Sequence, residues 1–181
     1  MAATFKKADE ALVQVMHDVM KRYHRDLVDA EVRVDLLLAF SLDGSPAIVV
    51  QGHAAAAACR ILTVGDRAKG NGDAEIRIDG DECETWTETQ LVALLDHELT
   101  HIELMYGKRG LKRDSLGRPK AKIRVHDRQI GWFDDVAERH RMNAWECLQM
   151  RQMLTDEEFC RLYLPELDQT QRSILLGAFG R

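Results

Sequence analysis

His97-Glu98-Leu99-Thr100-His101 sets two imidazoles four residues apart with a carboxylate beside the first. On a helix, residues i and i+4 lie one above the other, so both rings can reach one tetrahedral ion at about 2.0–2.1 Å. Glu98 is then directed to the side of the ion where a bound water sits. Zinc in such a site lowers the pKa of water to about 7 and polarises a carbonyl, and the glutamate takes the proton as the water attacks. The chemistry is hydrolysis of a peptide bond. With this chain's own His and Glu frequencies, the pattern should arise by chance roughly 0.02 times over its length. The competing reading is a surface helix with two solvated histidines.

A catalytic zinc takes three protein ligands and keeps a fourth position open. The longer HExxHxxGxxH form is absent: Gly107 is present but no histidine follows it in the next segment. The third ligand must lie beyond residue 110, among His126, Asp127, Asp134, Asp135, Glu138 and His140. His126 is favoured, because Ile130, Phe133 and Ala137 share its face of the helix expected there. Glu138 is the alternative and would give a two-histidine, one-glutamate set; a packed, non-ligating His126 also stays open. Asp96 and Asp127, next to His97 and His126, are candidates for orienting the imidazoles or are simply solvated. His17, His24 and His53 read as structural.

The elements that must hold these groups are readable from periodicity. Thr87 and Gln90 form a capping box, so a helix should start there and run through Tyr106. Ala74, Ile76 and Ile78 alternate with Glu75, Arg77 and Asp79, as in a half-exposed strand ending at Gly80. Earlier, Phe5 to Tyr23 has the three-and-four spacing of an amphipathic helix, and Val32 to Phe40 reads as a strand followed by a turn at Asp43 to Pro46. Ala47 to Gln51 is a short strand candidate, the alanine run after it is helix or strand, and 65–73 with its three glycines is a loop. Residues 107–121 read as an exposed loop or hairpin, and a helix is expected from about His126 to His140. The rest reads as two or three short helices, with a capping box from Thr155 and a break at Pro165.

Composition narrows the class. The chain has 181 residues, 25 Lys plus Arg against 30 Asp plus Glu and a net charge of −5, which disfavours a dedicated duplex-DNA binder. It has no apolar run of membrane-spanning length and no signal-peptide pattern at its N-terminus, so a cytoplasmic protein is expected. Cys59, Cys83, Cys147 and Cys160 form no CxxC pair and read as reduced thiols. One domain over 1–181 is expected, with a core of about 5–140 and a helical tail at 141–181, and a monomer is favoured.

Beyond HExxH, the segments DRAKG at 66–70, DAEIRID at 73–79, ALLDHELTHIEL at 93–104, GRPK at 117–120 and HDRQIGWFDDVAERH at 126–140 occur in order. Together they resemble the phage metallopeptidase family, which is distantly similar to SprT-like zincins. The resemblance implies an α+β, zincin-like fold with a small twisted mixed sheet packed on the HExxH helix. It also implies a third zinc ligand from the His-Asp pair at 126–127, and a host-cell cytoplasm if the chain is phage-encoded. A peptide or protein substrate would add to an edge strand, expected at 74–79 or 47–51.

Three functions compete. The first is a zinc metallopeptidase with Glu98 as general base and His97, His101 and His126 as ligands. The second is a non-proteolytic zinc-binding protein that engages a host partner. The third is a SprT-like protease of nucleic-acid-associated proteins, suggested by Lys108, Arg109, Lys112, Arg113, Arg118, Lys120, Lys122 and Arg124, whose basic loop could make weak nucleic-acid contacts. An intact Glu98 disfavours the second, since a structural site needs no general base.

Overall fold

The computed structural model describes residues 3–126, 139–140 and 145–178. The chain is mixed α and β, and its contacts divide into two compact units, Met1–Val125 and His126–Arg181. In the first, a four-stranded mixed sheet has the order β1-β2-β6-β5. Its chain order is β1 (Ala3–Lys7), α1 (Glu10–Tyr23), α2 (Arg25–Asp29), β2 (Val34–Ser41), β3 (Val49–Val50), β4 (His53–Ala54), β5 (Ala57–Ile61), α3 (Val64–Ala68), β6 (Ala74–Asp79), α4 (Gly80–Cys83) and α5 (Glu88–Thr100). Then come β7 (Ile102–Leu104), the hairpin of β8 (Tyr106–Gly107) and β9 (Gly110–Leu111), and β10 (Ala121–Ile123), which returns to pair with β7.

β1 and β2 are antiparallel, β2 and β6 parallel, β6 and β5 antiparallel. β6 is therefore the inner strand beside β5, and the expected half-exposed strand is almost wholly buried: Ile76 and Ile78 are sealed on one face, while Glu75 and Asp79 are covered too. Glu75 keeps its charge because Arg60 holds it with two hydrogen bonds (2.8 and 3.0 Å) and Arg77 with a third. Burial alone would raise the Glu75 pKa, but these partners hold it below the usual carboxylate range. Alternating polarity here reports an ionic face and not a wet one. With both edges paired, β6 cannot accept a peptide strand; β3 lies in a separate two-stranded pair with β4.

Other expectations shift for local reasons. The first helix starts at Glu10, not Phe5, because the Asp9 carboxylate caps it through the Leu12 N–H (2.8 Å), and Phe5 sits in β1 paired with β2. The expected loop at 65–73 opens with a helical turn, α3, capped reciprocally by Thr63 and Asp66, before Gly70 at φ +96 turns the chain away. The alanine run resolves as strand: His53 and Ala54 form β4, and β5 starts at Ala57. Gly80 lets β6 pass close to Phe40, whose ring atoms would lie 2.5 Å from any Cβ there.

The core joins one sheet face to two helices. Met16, Val19 and Met20 of α1 and Leu95 and Leu99 of α5 pack with Leu36, Ile76 and Ile78. In the second unit, α6 (Trp145–Thr155) packs against α7 (Glu157–Tyr163) and α8 (Gln169–Ala178). The cap there is Asp156, not Thr155, whose hydroxyl donates back to the Arg151 carbonyl. Among the described residues, no helix is long and apolar enough to cross a membrane.

Candidate metal centre

α5 carries the first two histidines. Its N-terminus is fixed as expected: the Gln90 N–H donates to the Thr87 hydroxyl (3.3 Å) and the Thr87 N–H to the Gln90 side chain (2.9 Å). The helix ends at Thr100 and not at Tyr106, with Ile102 and Leu104 buried alternately in β7. Helical and strand periods coincide over Leu99 and Ile102, which hides the boundary in the sequence. His101 nevertheless keeps helical dihedrals (φ −67, ψ −14), so the i, i+4 relation to His97 survives. The two rings stand edge to face with centroids 5.0 Å apart.

The ring of His101 is held by the main chain of Arg124. Its Nδ1 lies 2.7 Å from the Arg124 carbonyl oxygen, and since a carbonyl only accepts, Nδ1 carries the proton and Nε2 is left as a lone-pair donor. In return, the Arg124 N–H donates to the His101 carbonyl (2.8 Å). This reciprocal pair continues the β7–β10 ladder by one step beyond Ile102 opposite Ile123. Two residues further stands His126. Ligand atoms of His97, His101 and His126 all lie within 4.8 Å of one another, the one such group of three among the described residues.

Glu98 lies inward of the histidines and is only 4% exposed. Its Oε2 is buried with no hydrogen-bond partner. Burial pushes its pKa above the ordinary value, against a smaller downward pull from His101. Cys59 on β5 reports the same neighbourhood: burial, and secondarily the Glu98 charge, push its thiol up to about 12. An orphaned buried carboxylate oxygen normally marks a missing partner. The three imidazole nitrogens that lie within 4.8 Å of one another are a donor set that suits a metal ion.

The other candidates fall in different places. The Asp96 carboxylate lies 2.7 Å from Nε2 of His24, the residue closing α1, so this pair ties the α1 end to α5. Asp127, Asp134, Asp135, Glu138 and most of the helix expected over 126–140 lie outside the described residues; His140 is described and is exposed in a helical stretch. Sequence reading missed the orienting group, Arg124, because a main-chain carbonyl leaves no side-chain signature. The basic loop is partly committed: Arg113 donates to the Gly117 carbonyl, Lys122 pairs with Glu103 at 3.1 Å, and Arg118 pairs with Asp73 at 2.9 Å.

Set against known proteins, the chain matches the family described as putative phage metallopeptidase over residues 4–156. No curated protein and no solved structure matches it.

Proposed function

Because the chain belongs to the putative phage metallopeptidase family, gathers three histidines and buries the glutamate next to the first of them, we propose that it is a zinc-dependent peptidase. The observation that carries this reading is the orphaned Oε2 of Glu98. A structural metal site has no use for a buried, unpaired carboxylate, whereas a hydrolytic site needs one poised to take a proton.

His97, His101 and His126 would hold the ion; zinc is the metal that three imidazoles and an open position favour. When bound, it supplies Lewis-acid activation of water and of the scissile carbonyl. The protein's own groups do the rest. Glu98 Oε2 accepts the proton of the attacking water and returns it to the leaving amine. The Arg124 carbonyl keeps His101 in the tautomer whose lone pair is on Nε2. The arrangement of a capped α5 on a small mixed sheet supports a zincin-like fold. β5, an edge strand of that sheet beside Glu98, is where an extended peptide substrate would add.

The test is Glu98→Gln. It should keep stoichiometric zinc and lose about 10²-fold to 10⁴-fold in cleavage of a denatured protein substrate, while His97→Ala, His101→Ala and His126→Ala bind the metal more weakly. Undiminished cleavage by Glu98→Gln would overturn the mechanism.

A further inference from the structure

The ladder that delivers Arg124 and His126 is short, three residues on each strand with one main-chain bond beyond each end. A slip of one residue would turn every side chain to the other face. Here such a slip would take the Arg124 carbonyl away from His101 Nδ1 and move His126 by about 3.3 Å. The turn that leads into β10 is fastened from outside the ladder as well.

That role falls to a buried ionic cluster. Arg67, on α3, is 6% exposed and lies among three carbonyls and two carboxylates. Its Nε donates to the Leu62 carbonyl (3.1 Å), and one terminal nitrogen donates both to Asp114 Oδ2 (2.9 Å) and to the Pro119 carbonyl (3.0 Å). Asp114 uses its other oxygen to accept the N–H groups of Leu116 (2.8 Å) and Arg118 (3.0 Å), closing the tip of the excursion. Arg118 pairs with Asp73 at 2.9 Å and donates to the Asn71 carbonyl at 2.8 Å. Asp73 also accepts the Arg33 N–H, which fixes it to the start of β2. Both ends of the 114–119 turn are thus bolted to the segment between α3 and β6, immediately before β10 begins at Ala121.

We propose that Arg67, Asp73, Asp114 and Arg118 are positioning residues for the metal centre: a clamp that fixes the register of β10 and so places the Arg124 carbonyl on His101 and the third histidine beside the first two. The inference rests on the metal-site reading above. It gives the segments DRAKG and GRPK a task at a site that none of their side chains belongs to. The fork geometry explains the choice of arginine at 67, since a lysine keeps the charge but cannot reach Leu62, Asp114 and Pro119 together.

The experiment compares zinc affinity by calorimetry, and the visible spectrum of the Co²⁺-loaded protein, for wild type, Arg67→Lys, His126→Ala and the double variant, with circular dichroism as the fold control. Arg67→Lys should keep its secondary structure, lose at least tenfold in zinc affinity and alter the cobalt spectrum. In the His126→Ala background it should cost much less, because only the Arg124 carbonyl on His101 is left for it to place. Wild-type affinity and spectrum in Arg67→Lys overturn the clamp, as does an equal loss in both backgrounds. If Arg67→Lys does not fold, Arg118→Gln, which leaves Arg67 with Asp114 and Pro119, makes the same comparison. If instead His126→Ala binds zinc as well as wild type does, it is the metal-site reading that fails, whatever Arg67 does.

Discussion

Glu98 and His101 are neighbours on the helical surface, three residues apart, yet their environments differ. Glu98 is sealed in with an unpaired oxygen, while His101 is half exposed and held through Nδ1 by a carbonyl. Environment, more than position on the helix, sets the two groups apart. Cys59 shows the same control in the opposite sense: with its thiol pushed up to about 12, it is inert. Native protein at pH 8.5 should leave Cys59 unlabelled by iodoacetamide, and denatured protein should label it fully, as read by peptide mass mapping. Leu99, fully buried between the two histidines, carries the packing side of the same turn. Leu99→Ala should cost about 2–5 kcal/mol in denaturant unfolding, and it should weaken metal binding only by loosening α5.

Among the elements, α5 and β6 show how far local pattern reaches. The cap of α5 is local chemistry, and Thr87→Ala should destabilise the protein by about 1 kcal/mol, measured as a lower urea midpoint at unchanged slope. β6 is different, because Glu75 is held by Arg60 of the neighbouring strand β5 and by Arg77. Glu75 has a folded pKa below its ordinary value of 4.5, so it contributes stability that is fully present above that value and is lost as pH falls through the folded pKa. Glu75→Gln should therefore reduce stability at pH 7 and narrow the gap to wild type as the solution is acidified below about pH 4. A gap that widened on acidification would contradict the assigned ion pairs with Arg60 and Arg77.

For the molecule as a whole, the proposed metal site would link folding to function. Ligands drawn from the end of α5 and from the chain beyond β10 cannot converge in an unfolded chain, so zinc should bind the native state and stabilise it by mass action. At a free zinc concentration of about 100 times Kd, the gain should be about 2.7 kcal/mol. Dialysis against a chelator should lower Tm, and restoring zinc should reverse the change; a Tm indifferent to both would argue against a resident ion. The acidic total of −5 is unevenly spread, since Lys108 to Arg124 holds eight basic residues against Asp114 alone. Three of those eight already have protein partners in Glu103, Asp73 and the Gly117 carbonyl. The loop's charge is in part a means of fastening it.

By itself the sequence determined the groups whose spacing is short. The histidine pair and Glu98 within about one helical turn, the Thr87 cap and the hairpin character of 107–121 are all settled by contacts between residues close in the chain. What only the tertiary structure decided depends on partners far apart. It closed α5 at Thr100 because β10 pairs with Ile102 to Leu104, buried the alternating polar residues of β6 between two neighbours, and set the Arg124 carbonyl on His101 from 23 positions away. It also brought Arg67, Asp73, Asp114 and Arg118, scattered along the chain, into one ionic cluster. Burial and backbone pairing arise from chain crossings that no local period records, so the chemistry could be read early and the means of positioning it could not.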